Sequence, residues 1–243
     1  MSSSRTGRRR WPWVVAGLVV VSAVAVGAIV AVYPVVASTS CPWCYGMTKV
    51  HPRLYVDDGS SRADRRRVVA AVAAANARVT AFYGTRESAP RVLACTTVGC
   101  YEHIGGGRER GVAVLNRAVI LSPRGLDPVI ASHEMSHVEL HRRLGSGDDV
   151  PQWFDEGLAV LVSGDPRYLR PASAADRCRV EPGRDLPVTL DEWLHAAGND
   201  ADVYARSACR VSRWVDANGG PRAVLDLVDR LQSGERFADV VPD

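Results

Sequence analysis

The stretch VIASHEMSHVEL, residues 129–140, sets the strongest constraint on how this chain can fold. It carries His133, Glu134 and His137 in the order H-E-x-x-H. On a helix, two residues four apart lie on one face, one turn from each other. Both imidazoles then reach a single ion, and Glu134 projects beside them, able to touch a water on that ion without binding the ion itself. Such an ion needs a third protein ligand and an open position. His141 does not supply it, because eight residues from His133 is ~12 Å along a helix axis. Glu156 is the better candidate. It stands nineteen residues after His137, early in the apolar segment WFDEGLAVLVSG and behind the helix-breaking sequence GSGDDVPQ. A fold that uses all three residues must bring two helices together across a turn.

The flanking sequence supplies an α+β frame. RLYVDD reads as a short strand, Asp64–Tyr83 as a helix from its apolar spacing, and Arg91–Cys95 as a strand. The glycine-rich loop CYEHIGGGRERG leads to the β-branched residues 111–123, which read as one or two strands. The H-E-x-x-H helix is expected over 127–144 and its partner over 153–164, followed by an irregular stretch over 167–187. Thr189, with Glu192 three residues on, opens a further helix as a capping box. Helical patterns over 202–218 and 221–234 complete the chain. A few strands followed by many helices is an α+β order.

The first forty residues are of another kind. Met1–Arg10 holds four arginines and no acid, and Trp13–Ala37 runs without a charge. At ~1.5 Å per residue that run is longer than the ~30 Å hydrocarbon core of a bilayer. With Trp11, Trp13 and Tyr33 near its ends, the pattern predicts a basic cytoplasmic tail over 1–12 and a single-pass transmembrane signal anchor over 13–37 in the cell membrane. A linker over 38–50 and an extracytoplasmic domain over 51–243 follow. Secretion after cleavage near Ala37 is the alternative. Beyond residue 44 stand 26 bases against 27 acids, a net charge of −1. With no basic surplus left to neutralise phosphates, the composition argues against nucleic acid as a partner. Six cysteines agree with export and read as disulfides. Neighbour pairing gives Cys41–Cys44, Cys95–Cys100 and Cys178–Cys209. CPWC has thioredoxin-type spacing but lacks a surrounding βαβ unit, so it reads as a structural bridge.

HEMSH followed by PQWFDEGLAVLVSG resembles the gluzincin zinc metallopeptidases, most closely the small peptidase-MA-like domains and the catalytic domain of the zinc aminopeptidases. Their pattern is HExxH, a gap of some twenty residues, then a glutamate in a W-x-x-E-G-x-A context. The resemblance is tight only from His133 to Gly164. It implies a zincin-like fold, one zinc ion, and a peptide or protein substrate hydrolysed by zinc-activated water. It implies that His133, His137 and Glu156 bind the zinc, and that Glu134 is the general base. It also implies that Tyr204, in DVYARSACRVSRWVDANGG, steadies the tetrahedral oxyanion. An edge strand, expected at Ala118–Pro123, would hold the substrate backbone by strand addition.

The sequence departs from this pattern in two places. GVAVLN resembles the amine-recognition motif of the aminopeptidases only in outline, so cleavage at chain ends is not implied. Val160 occupies the position of the usual carboxylate four residues after the glutamate ligand, and Asp155 points elsewhere on an ideal helix. Two other classes stay open: an inactive zinc-binding envelope interaction module, and a thiol–disulfide protein using Cys41 and Cys44. No motif states a substrate preference or an oligomeric state.

Overall fold

The computed structural model describes residues 11, 13–18, 32–145 and 150–242. In chain order the elements are α1 (Pro34–Ser40), a 3₁₀ turn (Pro42–Tyr45), β1 (Met47–His51), β2 (Leu54–Asp57), α2 (Arg62–Tyr83), β3 (Arg91–Ala94), α3 (Val98–His103), β4 (Gly111–Val114) and β5 (Ala118–Leu121). Then come α4 (Pro128–Leu144), α5 (Gln152–Ser163), α6 (Leu190–Asn199), α7 (Val203–Ala217), α8 (Arg222–Gln232) and α9 (Phe237–Val240). The architecture is α+β with a small mixed sheet, in the strand order β1-β2-β3-β5-β4. β2, β3 and β5 run parallel, while β1 and β4 are antiparallel edge strands.

The strand sequences follow from their places in the sheet. β5, AVIL, is apolar at every position because both its faces are covered. Val119 and Leu121 join the main core under the helices, whereas Ala118 and Ile120 join a smaller cluster on the other face with Met47, Tyr101 and Ile104. β5 is therefore an interior strand. The edge expected at Ala118–Pro123 belongs instead to β4, since the β-branched run folds into a hairpin whose first strand lies outermost. Met47–His51, read as part of a linker, pairs with β2.

The N-terminal expectation is overturned. Among the described residues no helix is long and apolar enough to cross a membrane, so neither the anchor over 13–37 nor the single-pass cell-membrane placement stands. Tyr33 leaves helical geometry, and α1 starts afresh at Pro34. The end of the apolar run is also occupied with packing. Val35 and Val36 lie against the Met47–Tyr101–Ile104 cluster, and the Ser38 hydroxyl donates to the Ile104 carbonyl at 3.1 Å. Residues 19–31 and the tail over 1–10 lie outside the described residues.

α4 is fixed at both ends. Asp127 caps it, its Oδ1 accepting from the Val129 and Ile130 N–H groups at 2.8 and 3.0 Å. Near its other end the fully buried Glu139 accepts from Arg86, Arg143, the Ser88 hydroxyl and the backbone N–H groups of Glu87 and Ser88. Burial alone would raise this carboxyl, but the ring of donors outweighs it and holds the group below its ordinary range. α5 packs on α4 and on α7. A β-carbon on Gly157 would lie 2.6 Å from the Ser207 carbonyl oxygen, so glycine sets the α5–α7 approach. Thr189 and Glu192 form the expected capping box of α6.

The three disulfides form between Cys41 and Cys44, Cys95 and Cys100, and Cys178 and Cys209. The last ties the irregular stretch after α5 to α7 across 31 residues. Replacing both of its cysteines by serine should cost about 3–4 kcal/mol by loop-closure entropy and lower the melting temperature by roughly 10 °C. Calorimetry on the purified chain measures this directly.

Candidate metal centre

Consecutive acids on α5 meet the histidine face of α4. His133 Nε2 lies 3.2 Å from Glu156 Oε2, and His137 Nε2 lies 3.8 Å from the same oxygen. One ligand-capable atom from each of the three residues falls within 4.8 Å of the others. These residues can hold a metal ion.

Asp155 organises the cluster. His137 Nδ1–H donates to its Oδ1 at 2.7 Å, and His141 Nε2–H donates to its Oδ2 at 2.7 Å. A carboxylate on Nδ1 holds a proton on that nitrogen and turns Nε2 toward Glu156, where a metal would replace the Nε2 proton. The sequence reading had Asp155 pointing elsewhere, because neighbours on a helix diverge by about 100°. That divergence is what the site uses. An imidazole has a nitrogen on each of two edges, so Glu156 meets one edge of His137 and Asp155 the other. Asp155 thus supplies the carboxylate that orients His137. His141 stays out of the triad, as its spacing requires, and serves to hold Asp155.

The electrostatics of the cluster are lopsided. Glu134, Asp155 and Glu156 meet the imidazoles of His133, His137 and His141, with all three acids at least largely buried. Burial opposes a charge on His137, but Asp155, Glu156 and Glu134 win, and its pKa rises to about 10. Burial also pushes the Asp155 carboxyl up, yet the two imidazoles beside it outweigh this and hold it well below the carboxylate range. For Glu134, burial dominates over the pull of His133 and His137, and its pKa is raised. Buried carboxylates in excess of their counter-charges are compensated by protons or by a cation. A His–His–carboxylate donor set suits a divalent transition metal.

Other groups frame the centre. Gln152 Nε2 donates to Glu156 Oε1 at 3.3 Å, leaving Oε2 for the histidines. β4 passes beside Glu134: a β-carbon on Gly111 would lie 2.9 Å from Glu134 Cγ, and the Ala113 N–H is bonded to the Glu134 carboxylate. The Ser122 N–H donates to the Arg110 carbonyl, so Arg110, Val112 and Val114 pair inward by alternation. The backbone groups of Gly111 and Ala113 face away from the sheet. Tyr204 on α7 lies with its ring 6.4 Å from that of His133. It stacks on Tyr168 at 5.0 Å and meets Trp193 edge-on at 4.8 Å. Burial, and then Glu156, push its phenol well above the ordinary value.

The structure thus gathers His133, Glu134, His137 and Glu156 at one point, with Tyr204 at its margin and the Cys41–Cys44 bridge in a different element. Gln152 and Tyr168 were not found in the sequence. Gln152 had a readable signal, four residues before Glu156 on one helix face; Tyr168 sits in a stretch without periodicity. Comparison with known protein families, with curated proteins and with solved structures finds no match for this chain.

Two outcomes are expected. With its pKa near 10, His137 carries a proton at pH 7 in the metal-free site, and a metal must displace it. Displacement eases as pH rises, so apparent affinity for a divalent metal should climb by about tenfold per pH unit through this proton. Asp155→Asn removes the largest charge that holds the proton. It should weaken binding by roughly 10–100-fold and flatten the slope above pH 7. Chelator-competition titrations from pH 6 to 8.5 would show both. Separately, Gly157→Ala gains about 1 kcal/mol of helix propensity but must part α5 from α7, an overpacking cost of about 1–3 kcal/mol. The variant should melt lower and bind metal more weakly.

Proposed function

We propose that this chain is a zinc-dependent peptidase of the gluzincin type, hydrolysing peptide bonds in peptide or protein substrates. The observation that carries the reading is the convergence of His133, His137 and Glu156 within 4.8 Å, with Glu134 buried beside them and Asp155 orienting His137. Three protein ligands leave one position of a tetrahedral ion open, which is the arrangement of catalytic rather than structural zinc. Zinc bound there would supply a Lewis acid for the scissile carbonyl and acidify a water.

The remaining roles belong to the chain itself. Glu134 takes the proton of the attacking water and later gives it to the leaving amine. Its raised pKa brings it nearer the range in which a group both accepts and returns a proton. The outward-facing backbone of Gly111, with the Ala113 carbonyl, offers a short edge to an extended substrate, while the Ala113 N–H is held by Glu134. Tyr204 is held protonated by burial and so remains a donor for a developing oxyanion. The Cys178–Cys209 bridge keeps α7, which carries that tyrosine, against the stretch bearing Tyr168.

The test begins with metal content. The purified chain should carry one zinc, and Glu156→Ala should lose most of it. Glu134→Gln should keep the zinc and cleave a peptide library at least 10²–10⁴-fold more slowly. A wild-type chain that takes up no zinc, even when zinc is added back, would sink the proposal. Zinc uptake without any cleavage would reduce it to a metal-binding module.

A further inference from the structure

One turn beyond the histidine pair, α4 borders a cavity of about 510 Å³. Its lining includes Arg53, Leu115, Asn116, Arg117, His141 and Arg142. Three arginines therefore border the cavity. Among the described residues that line it the one acid is Glu87, which is already paired with Arg143 at 3.1 Å. Arg53 Nη1 donates to the Ala89 carbonyl, which anchors that side chain at the rim. The side chains of Arg117 and Arg142 have no hydrogen-bond or ion-pair partner among the described residues. All three arginines are exposed, and like charges on one rim favour a bound anion over a cation.

A second observation falls on the same place. Among the described residues, three that are not glycine have φ in the left-handed region: Arg53 at 61°, Leu115 at 48° and Asn116 at 52°. All three line this cavity. Arg53 follows Pro52 in the β1–β2 turn, at the position where glycine is ordinarily used. Leu115 and Asn116 are the two central residues of the β4–β5 hairpin, where Asn-Gly relieves the backbone. At each turn a residue with a side chain stands where glycine would be less strained. Such outliers cluster at ligand clamps. Leu115, Val138 and Pro90 add apolar surface to the lining.

We propose that this cavity binds a small organic oxyanion, a carboxylate or phosphate joined to a compact apolar body. The forks of Arg117 and Arg142 grip the anion, Arg53 closes the rim, and Leu115 and Val138 cover the apolar part. The volume lies within the range of small-molecule sites. The proposal does not rest on the peptidase reading. His141 lines the cavity and is hydrogen-bonded to Asp155, so the two sites share one helix and one chain of contacts.

The experiment is a calorimetric titration of the full, metal-free chain at low ionic strength with phenyl phosphate and with benzoate. Saturable one-to-one binding of at least one probe is expected, and which probe binds more tightly assigns the anion as phosphate or carboxylate. The double variant Arg117→Gln/Arg142→Gln should weaken binding at least tenfold with an unchanged melting temperature. Arg66→Gln, an exposed arginine on α2, should leave binding as it was. No saturable binding of either probe at millimolar concentration overturns the proposal. So does binding that the double variant leaves unchanged.

Discussion

Both oxygens of Asp155 accept from imidazoles of the neighbouring helix at 2.7 Å, and this doubly bonded carboxylate is what the rest of the centre depends on. It sets the turn of α5 against α4, so the next residue, Glu156, has one direction left to face. Removing one member of a buried charged pair leaves the other uncompensated, at a cost of about 3–5 kcal/mol. The helix pair is therefore locked in rotation by polar contacts and in distance by Gly157. Hydrophobic packing around Phe154, Leu158 and Met135 supplies the cohesion but not the register.

α4 separates two electrostatic surroundings. Carboxylates crowd its middle, around His133 and His137. Arginines gather at its last turn, where Arg142 and Arg143 also lie favourably at the negative end of the helix dipole. Arg143 is consumed by the Glu139 network that fastens α4 to the segment after α2, while Arg142 faces the cavity. A single helix thus presents a cation-seeking face and an anion-seeking end, set a turn apart.

Much of this was legible in the chain. The long helices announced themselves by apolar spacing and by caps such as Asp127 and the Thr189–Glu192 pair. His133, Glu134 and His137 could be placed together because helical geometry is local, and Glu156 joined them through the helix-breaking GSGDDVPQ and its WFDEG context. What escaped the sequence was set by contacts between distant residues. Periodicity cannot say which strand of an apolar hairpin lies outermost, so β5 was taken for the edge that β4 occupies. The strand Met47–His51 exists only through its pairing with β2. Asp155 was misjudged because helix angles were weighed without the two-edged imidazole it meets. At the N-terminus, hydropathy counted Val35 and Val36 as lipid-facing, but their apolar surface is spent on Met47, Tyr101 and Ile104.

β4 is four residues long and opens on Gly111. Those outward backbone groups that Glu134 does not engage are a template for any extended chain, including another copy of this one. The strand is hemmed by charge, with Arg108, Glu109 and Arg110 before it and Arg117 after it. Charged residues flanking a short strand act as gatekeepers against edge-to-edge stacking. The shortness that limits how much of a ligand the edge can grip also limits how much of a neighbour it can recruit. Colloidal stability and recognition at this edge are two readings of one length.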